Sequence, residues 1–182
     1  MTEILAFLAG SAVLIWLSRK PLRQPGSHGF YRFFAWECIL VLVVRNLAIW
    51  GDDPLAPHQL LSWSLLIASI ALVVAGIRTL QANGRAQGKR DDASLYEWEK
   101  TEALVTHGIF AWIRHPMYAS LLALTWGAYF KDPGLGGLPF ALIGSACLLA
   151  TALADEKECL AHFGQPYTDY MQRSKRFIPG LF

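Results

Sequence analysis

Apolar positions in this chain fall into long runs separated by short polar segments, rather than into an alternating pattern. The five runs cover residues 4–17, 33–50, 60–77, 117–130 and 138–154. A helix that crosses a bilayer needs about 20 mainly apolar residues, so the last two runs must borrow flanking residues or form a short helical hairpin. The pattern predicts an all-α integral membrane bundle of about five transmembrane helices.

The first run is interpreted as a retained span rather than a signal peptide. A signal peptide carries its positive charges before the apolar stretch, whereas Arg19 and Lys20 follow it here. Four spans, without the first, are the alternative. We treat residues 1–182 as a single membrane domain, in which residues 1–78 hold three spans and residues 79–182 hold the helical hairpin and the tail.

Composition supports a membrane protein and excludes other classes. Apolar residues make up 54% of the chain and charged residues only 16%, whereas soluble domains average about 45–50% and about 25%. A net charge of +2 is too small to indicate nucleic-acid binding. The three cysteines form no Cys-x-x-Cys pair, so neither a disulfide framework nor a metal site is predicted.

The distribution of basic residues predicts the orientation in the membrane. With five spans, fourteen of the sixteen Lys and Arg residues fall on one side, in two loops and the C-terminal tail. The exceptions are Arg45, inside the second run, and Lys131. Because cytoplasmic loops are enriched in Lys and Arg, we expect the N-terminus outside and the C-terminus in the cytoplasm, in a bacterial inner membrane.

The densest group of polar and aromatic side chains lies just before the fourth run, from Thr106 to Tyr118. Pro116 favours the first turn of a helix, where its missing N–H needs no partner, so His115 is expected at the helix N-terminus. Free N–H groups there attract carboxylates and phosphates, and Arg114 adds further donors. A ligand site and a simple juxtamembrane anchor are the two interpretations.

Other ionisable residues also suggest chemistry. Asp155 and Glu156 follow directly after the fifth run, at a helix end where carboxylates oppose the helix dipole. They are interpreted as acceptors for a ligand's hydroxyl or ammonium group, or as a solvated turn.

Glu37 and Arg45 lie inside a predicted span, where charged side chains usually face a cavity. A structural polar patch and a headgroup pocket are the two interpretations of this pair. Three histidines have no partner at ligand spacing and are interpreted as ordinary: His28, His58 and His162.

Taken together, these motifs resemble the isoprenylcysteine carboxyl methyltransferase and phospholipid N-methyltransferase superfamily. The resemblance covers roughly residues 95–182 and rests on order and spacing. It is carried by Leu104-Val105-Thr106-His107-Gly108-Ile109-Phe110, Arg114-His115-Pro116-Met117-Tyr118, Asp155-Glu156, Phe163-Gly164, Tyr167, Tyr170 and Arg176-Phe177-Ile178-Pro179. Asp155 stands where the family has the first Glu of a pair.

The resemblance implies an enzyme that uses S-adenosylmethionine to methylate a lipophilic, membrane-embedded acceptor at the cytoplasmic edge. On this interpretation residues 1–78 form the acceptor side and residues 79–182 form the cofactor-binding region. It implies cofactor contacts from Leu104, His107, Gly108, Ile109, Phe110, Arg114, His115, Tyr118, Asp155 and Glu156. It also implies catalytic roles for Glu156 and Arg176, with Arg176 near the acceptor. Glu37, Arg45 and Tyr167 are the candidate acceptor-binding residues.

The acceptor itself stays open at this stage: a prenylated cysteine carboxylate, a phospholipid amine, and a small thiol or isoprenoid all fit. Two other classes compete with the methyltransferase. One is an NADPH-dependent membrane reductase of the sterol-reductase type, which is similar around an Arg-His-x-x-Tyr element. The other is a non-catalytic membrane subunit whose polar clusters only anchor the ends of spans.

Overall fold

The computed structural model describes residues 1–83 and 103–181, and in these ranges the fold is helical, without strands. Part of the predicted cytoplasmic loop, residues 84–102, lies outside the described residues. The described α-helices are α1 (Thr2–Ser18), α2 (His28–Asn46), α3 (Pro57–Asn83), α4 (Pro116–Tyr129), α5 (Leu138–Phe163) and α6 (Gln165–Arg173).

Several helix boundaries follow from local residue chemistry. The Ser27 side chain accepts a hydrogen bond from the backbone N–H of Phe30, which caps the start of α2. Pro116 begins α4 directly after His115, as the sequence predicted. Gly164 has φ of +62°, a conformation that side-chain-bearing residues rarely adopt. It therefore ends α5 and allows the chain to turn at once into α6.

Helix α2 is central in the described bundle. It packs against α1, α4 and α5, while α3 packs against α4. The buried apolar core is small, with one cluster near the start of α4 and another around Leu42, Ala128 and Ala141. Much apolar surface faces outward instead, as on α1, where Ile4 is 64% exposed and Leu8 is 56% exposed. Such a surface suits a lipid environment better than water.

Two of the described helices are long and apolar enough to cross a membrane, namely Pro57–Ala82 and Leu138–Phe163. Helix α1 is apolar but shorter. Helix α5 continues to Phe163, past the apolar run that ends at residue 154, so the helix includes flanking residues beyond the run. The number of spans and the orientation of the termini remain predictions from the apolar runs and the basic residues.

At the end of the bundle that carries the α4–α5 turn, a lysine is enclosed by aromatic rings. The Lys131 side chain is almost fully buried, and its Nζ donates a hydrogen bond to Gln59 Oε1 at 2.9 Å. The same atom lies 3.4 Å from the ring centre of Trp63 and 5.1 Å from that of Trp50. The hydrogen bond and the cation–π contacts join the α4–α5 turn to α3 and to the segment after α2.

We expect Lys131→Met to destabilise the fold by about 1–3 kcal/mol, because it leaves the buried oxygen of Gln59 without a donor. Thermal unfolding of the purified protein in detergent measures this loss. Lys157→Met is the matched control, since Lys157 is exposed on α5. Equal melting temperatures for the two variants would contradict a stabilising role for the enclosed lysine.

Candidate functional site

The most concentrated group of charges in the described structure surrounds one carboxylate, that of Glu156. Its side chain is only 5% exposed. Arg114 Nε donates to its Oε1 at 3.0 Å, and Arg176 donates to both oxygens, from Nε at 3.1 Å and from Nη2 at 2.8 Å. We call Arg114, His115, Glu156 and Arg176 the Glu156 cluster. A buried carboxylate needs such partners, because an unpaired charge is strongly disfavoured away from water.

A short backbone pairing brings the two arginines to this carboxylate. Ile113 and Lys175 form an isolated parallel bridge. Around it, Arg114 N–H donates to the Lys175 carbonyl at 2.7 Å, and His115 N–H donates to the Arg176 carbonyl at 3.2 Å. The Arg114 guanidinium also donates to the carbonyl of Ser174. The segments before α4 and after α6, far apart in the chain, are thereby held side by side.

His115 lies between the two acidic residues. Its Nε2 is 3.4 Å from Glu156 Oε1, and its Nδ1 is 3.5 Å from Asp155 Oδ2. Burial by itself lowers the pKa of His115, but the hydrogen bonds and charges of the two carboxylates outweigh burial and raise the pKa above its usual value. The imidazole therefore favours its charged form, and its ring stacks on that of Tyr118.

Asp155 connects the cluster to a neighbouring cleft. Its carboxylate accepts hydrogen bonds from the Tyr118 hydroxyl at 3.1 Å and from the Cys159 thiol at 3.6 Å. It lines the cleft, whereas Glu156 stands behind Arg114 and His115, which also line it. The cleft therefore has one wall formed by ionised groups that hold one another in place.

The cleft is open, and its atom-free space of about 770 Å³ includes part of the surrounding solvent. Most of its other lining is apolar or aromatic: Leu80, Ala103, Leu104, Val105, Phe110, Pro116, Met117, Tyr118, Cys159, Phe163, Tyr167 and Tyr170. Aromatic faces next to a carboxylate suit a ligand that combines a flat ring system with a cationic group.

The 3₁₀ turn from Gly108 to Ala111 forms part of the cleft's wall. Gly108 has φ of +59°, and a Cβ there would approach Thr79 Oγ1 to 2.8 Å, so only glycine fits this turn against α3. The Tyr170 hydroxyl donates to the Phe110 carbonyl at 2.6 Å. Burial raises the pKa of Tyr170 to about 12, so this hydroxyl keeps its proton and α6 stays attached to the turn.

The structure brings together most of the site residues predicted from the sequence. Those that line the cleft are Leu104, Phe110, Arg114, His115, Tyr118, Asp155 and Tyr167. Glu156 and Arg176 meet in the adjoining cluster. His107, which precedes the 3₁₀ turn, and Gly108 are exposed, and Ile109 packs against the apolar core cluster near the start of α4. The contacts of these residues with a cofactor remain predictions.

Two predicted acceptor-binding residues lie elsewhere. Glu37 accepts a hydrogen bond from Ser11 at 2.9 Å, which joins α2 to α1. Arg45 forms an exposed pair with Asp132 at 3.3 Å, at the end of α2 that is roughly 25 Å from His28 by helix rise. Neither residue lines the cleft. Their roles toward an acceptor remain predictions without support from this geometry.

Sequence reasoning missed the buried contact of His28, which was interpreted as an ordinary histidine with no partner at ligand spacing. His28 is fully buried at the start of α2. Its backbone N–H donates to Glu158 Oε1 at 3.0 Å, and its ring Nδ1 lies 2.6 Å from Glu158 Oε2. His28, Asp155 and Glu158 each place an atom within 4.8 Å of the others. Both oxygens of Glu158 already contact His28, so this arrangement favours a structural link between α2 and α5 over a metal site. We call this link the clamp between His28 and Glu158. No local signal could have linked positions 130 residues apart.

Comparison with known proteins decides the family. A model of the phospholipid methyltransferase family matches residues 58–163, which is more than half of the chain. The chain belongs to this family. The match includes α4 and the acidic pair of α5, and it confirms the superfamily resemblance drawn from the sequence motifs.

Curated relatives agree with this membership. The chain is 22% identical to methanethiol S-methyltransferase of Pseudomonas sp. over 151 residues, which is 81% of this chain and 54% of that protein. It is 34% identical to protein-S-isoprenylcysteine O-methyltransferase of Tribolium castaneum over 98 residues, which is 47% of this chain and 31% of that protein. The chain thus spans about half the length of the first relative and less of the second. No solved structure matches it significantly.

The raised pKa of His115 predicts a pH-dependent stability. The stabilising charge is fully present below the ordinary imidazole pKa of about 6.5 and is lost as the pH rises through the raised value. We therefore expect the melting temperature in detergent to fall as the pH rises above about 6.5, and to fall less steeply in His115→Gln.

The matched control is His162→Gln, because His162 is exposed on α5. This variant should keep the wild-type slope. His28 is unchanged in both variants, so only the difference between their slopes is informative. Identical slopes in His115→Gln and wild type would show that the imidazole carries no charge in this cluster.

Proposed function

We propose that this protein transfers a methyl group from S-adenosylmethionine to a lipophilic, membrane-embedded acceptor at the cytoplasmic edge of the membrane. The observation that carries the proposal is the position of Asp155. In a chain of the phospholipid methyltransferase family, this carboxylate lies on the wall of an aromatic cleft and is held by Tyr118 and His115.

The cleft residues fit S-adenosylmethionine by their chemistry. The Asp155 carboxylate suits a cationic sulfonium or amino group, and the rings of Phe110, Phe163 and Tyr167 suit an adenine face. Arg114 and His115 offer donors for a carboxylate group of the same ligand. When bound, this cofactor would supply an activated methyl group on a positively charged sulfur.

The protein's contribution to such a reaction is alignment and exclusion of water. Glu156 holds Arg114 and Arg176 in place, because its two oxygens accept three hydrogen bonds from these guanidinium groups. Arg176 is the more exposed of the two arginines, at 19% against 8%. It is therefore the better placed to meet an acceptor, as the family resemblance implies.

A site at the membrane edge suits the two reactants that must meet there. The apolar surfaces of α1, α3 and α5 favour lipid contact, so a lipophilic acceptor can arrive from the bilayer. The charged cluster and the following tail carry the basic residues that predict the cytoplasmic side. A polar cofactor would reach the cleft from that compartment.

Calorimetric titration of the purified protein in detergent tests the cofactor. We expect saturable binding of S-adenosylmethionine and none of NADPH. Asp155→Asn should weaken the affinity at least about tenfold, the effect of losing an interaction worth roughly one pKa unit. Asp169→Asn is the matched control, because Asp169 is exposed on α6, and its affinity should equal that of wild type.

Binding of NADPH instead would favour the reductase interpretation. No saturable binding of S-adenosylmethionine would contradict the proposal, and equal affinities of the two Asn variants would contradict the role of Asp155. Transfer of radiolabelled methyl groups into a membrane lipid extract would complete the evidence for the activity.

A further inference from the structure

We propose that His28 is a positioning residue for Asp155. It binds the Glu158 carboxylate and so prevents that charge from displacing Asp155 from the wall of the cleft. The proposal rests on the methyl-transfer function proposed above, since it takes Asp155 as a contact of the cofactor. His28 precedes the part of the chain that the family model matches, residues 58–163, and it does not line the cleft.

Asp155 and Glu158 are neighbours on one face of α5. They lie three residues apart, a spacing at which side chains on a helix come together. One carboxylate oxygen of each residue and a ring nitrogen of His28 lie within 4.8 Å of one another. Two carboxylates this close repel each other, and the pair resists having both members ionised. The position of Asp155 therefore depends on what holds Glu158.

Partial burial strengthens this repulsion. The side chain of Asp155 is 17% exposed and that of Glu158 is 24% exposed, so both are largely removed from water. Charges interact more strongly where their surroundings are less polar than water. A second anion beside Asp155 therefore needs a partner of its own.

The start of α2 supplies that partner. His28 is the first residue of α2, and its backbone N–H donates to Glu158 Oε1 at 3.0 Å. Its ring Nδ1 lies 2.6 Å from Glu158 Oε2. A helix N-terminus also carries a partial positive charge, which favours an anion there. The Glu158 charge is thus directed toward α2, while Asp155 accepts hydrogen bonds from Tyr118 and Cys159.

Loss of the imidazole would release this restraint. Glu158 Oε2 would lose its ring partner while remaining beside Asp155. The two acids would then compete for the donors that hold Asp155, or share a proton as close carboxylates do. Either change removes the fixed negative charge that the cleft offers to a cationic ligand.

This role differs from that of a purely structural link between α2 and α5. A structural link acts on the cleft through packing, so removing the Glu158 charge as well as the ring would leave the defect in place. Charge restraint predicts the opposite, because a neutral side chain at position 158 no longer repels Asp155. A double variant therefore separates the two roles.

Calorimetric titration of S-adenosylmethionine into each purified variant in detergent tests the role, with thermal unfolding measured in parallel. His28→Leu offers no ring donor and should weaken the affinity at least about tenfold, the effect of about one pKa unit of charge interaction. His28→Asn should restore most of that affinity, because its amide places an N–H donor close to the position of Nδ1. His162→Leu is the matched control, since His162 is exposed on α5, and it should bind as wild type does.

The decisive variant combines His28→Leu with Glu158→Gln. It lacks both the ring donor and the charge, so its affinity should return to within about threefold of wild type, roughly half a pKa unit. Its melting temperature should stay below that of wild type, since the clamp between His28 and Glu158 is not rebuilt. Glu158→Gln alone should bind with wild-type affinity, which would exclude a direct contact between Glu158 and the ligand.

Wild-type affinity in His28→Leu would overturn the proposal. So would a double variant that binds no better than His28→Leu, which is the result expected of a structural link. Should His28→Leu fail to fold, His28→Ala, which also lacks a ring donor and adds no volume, takes its place in both comparisons. If the wild-type protein itself bound no S-adenosylmethionine, the proposed function would be contradicted, and the role of His28 would fall with it.

Discussion

The rest of the site depends on the pairing of one buried carboxylate, that of Glu156. A charge that is only 5% exposed on α5 is tolerable when opposite charges and hydrogen-bond donors surround it. Arg114, Arg176 and His115 meet this need, and each comes from a segment outside α5. To reach Glu156, the chain must place the start of α4 and the end of the α6 region against the same turn of α5. The bridge between Ile113 and Lys175 follows from this arrangement.

This arrangement also helps to hold the shape of the cleft. Asp155 is the neighbour of Glu156 on α5, and the imidazole of His115 touches both carboxylates. Orienting Glu156 therefore orients Asp155 toward the cleft. The Tyr170 hydroxyl, bound to the Phe110 carbonyl, attaches α6 to the opposite wall. Networks of this kind hold a polar wall rigidly when each member has a partner, which suits a reaction whose main requirement is alignment.

A second buried contact holds the helices around the acidic pair. The clamp between His28 and Glu158 adds a mechanical link, because it joins the first residues of α2 to α5 within one turn of Asp155. Helices on the predicted acceptor side are thereby attached to the helix that carries the acidic pair.

The sequence by itself determined the helical class, the apolar runs, the helix start at Pro116 and the residues that resemble a methyltransferase family. These features are local, since each depends on neighbours within a turn or two of helix, or on residue types at fixed spacing. Tertiary structure alone decided that Glu156 stands behind the cleft while Asp155 faces it, that Arg45 pairs with Asp132 at the far end of α2, and that His28 meets Glu158. Those outcomes depend on which helix faces pack together and on how buried charges find partners across the chain. The periodicity of a single segment indicates neither the packing of helix faces nor the pairing of buried charges across the chain.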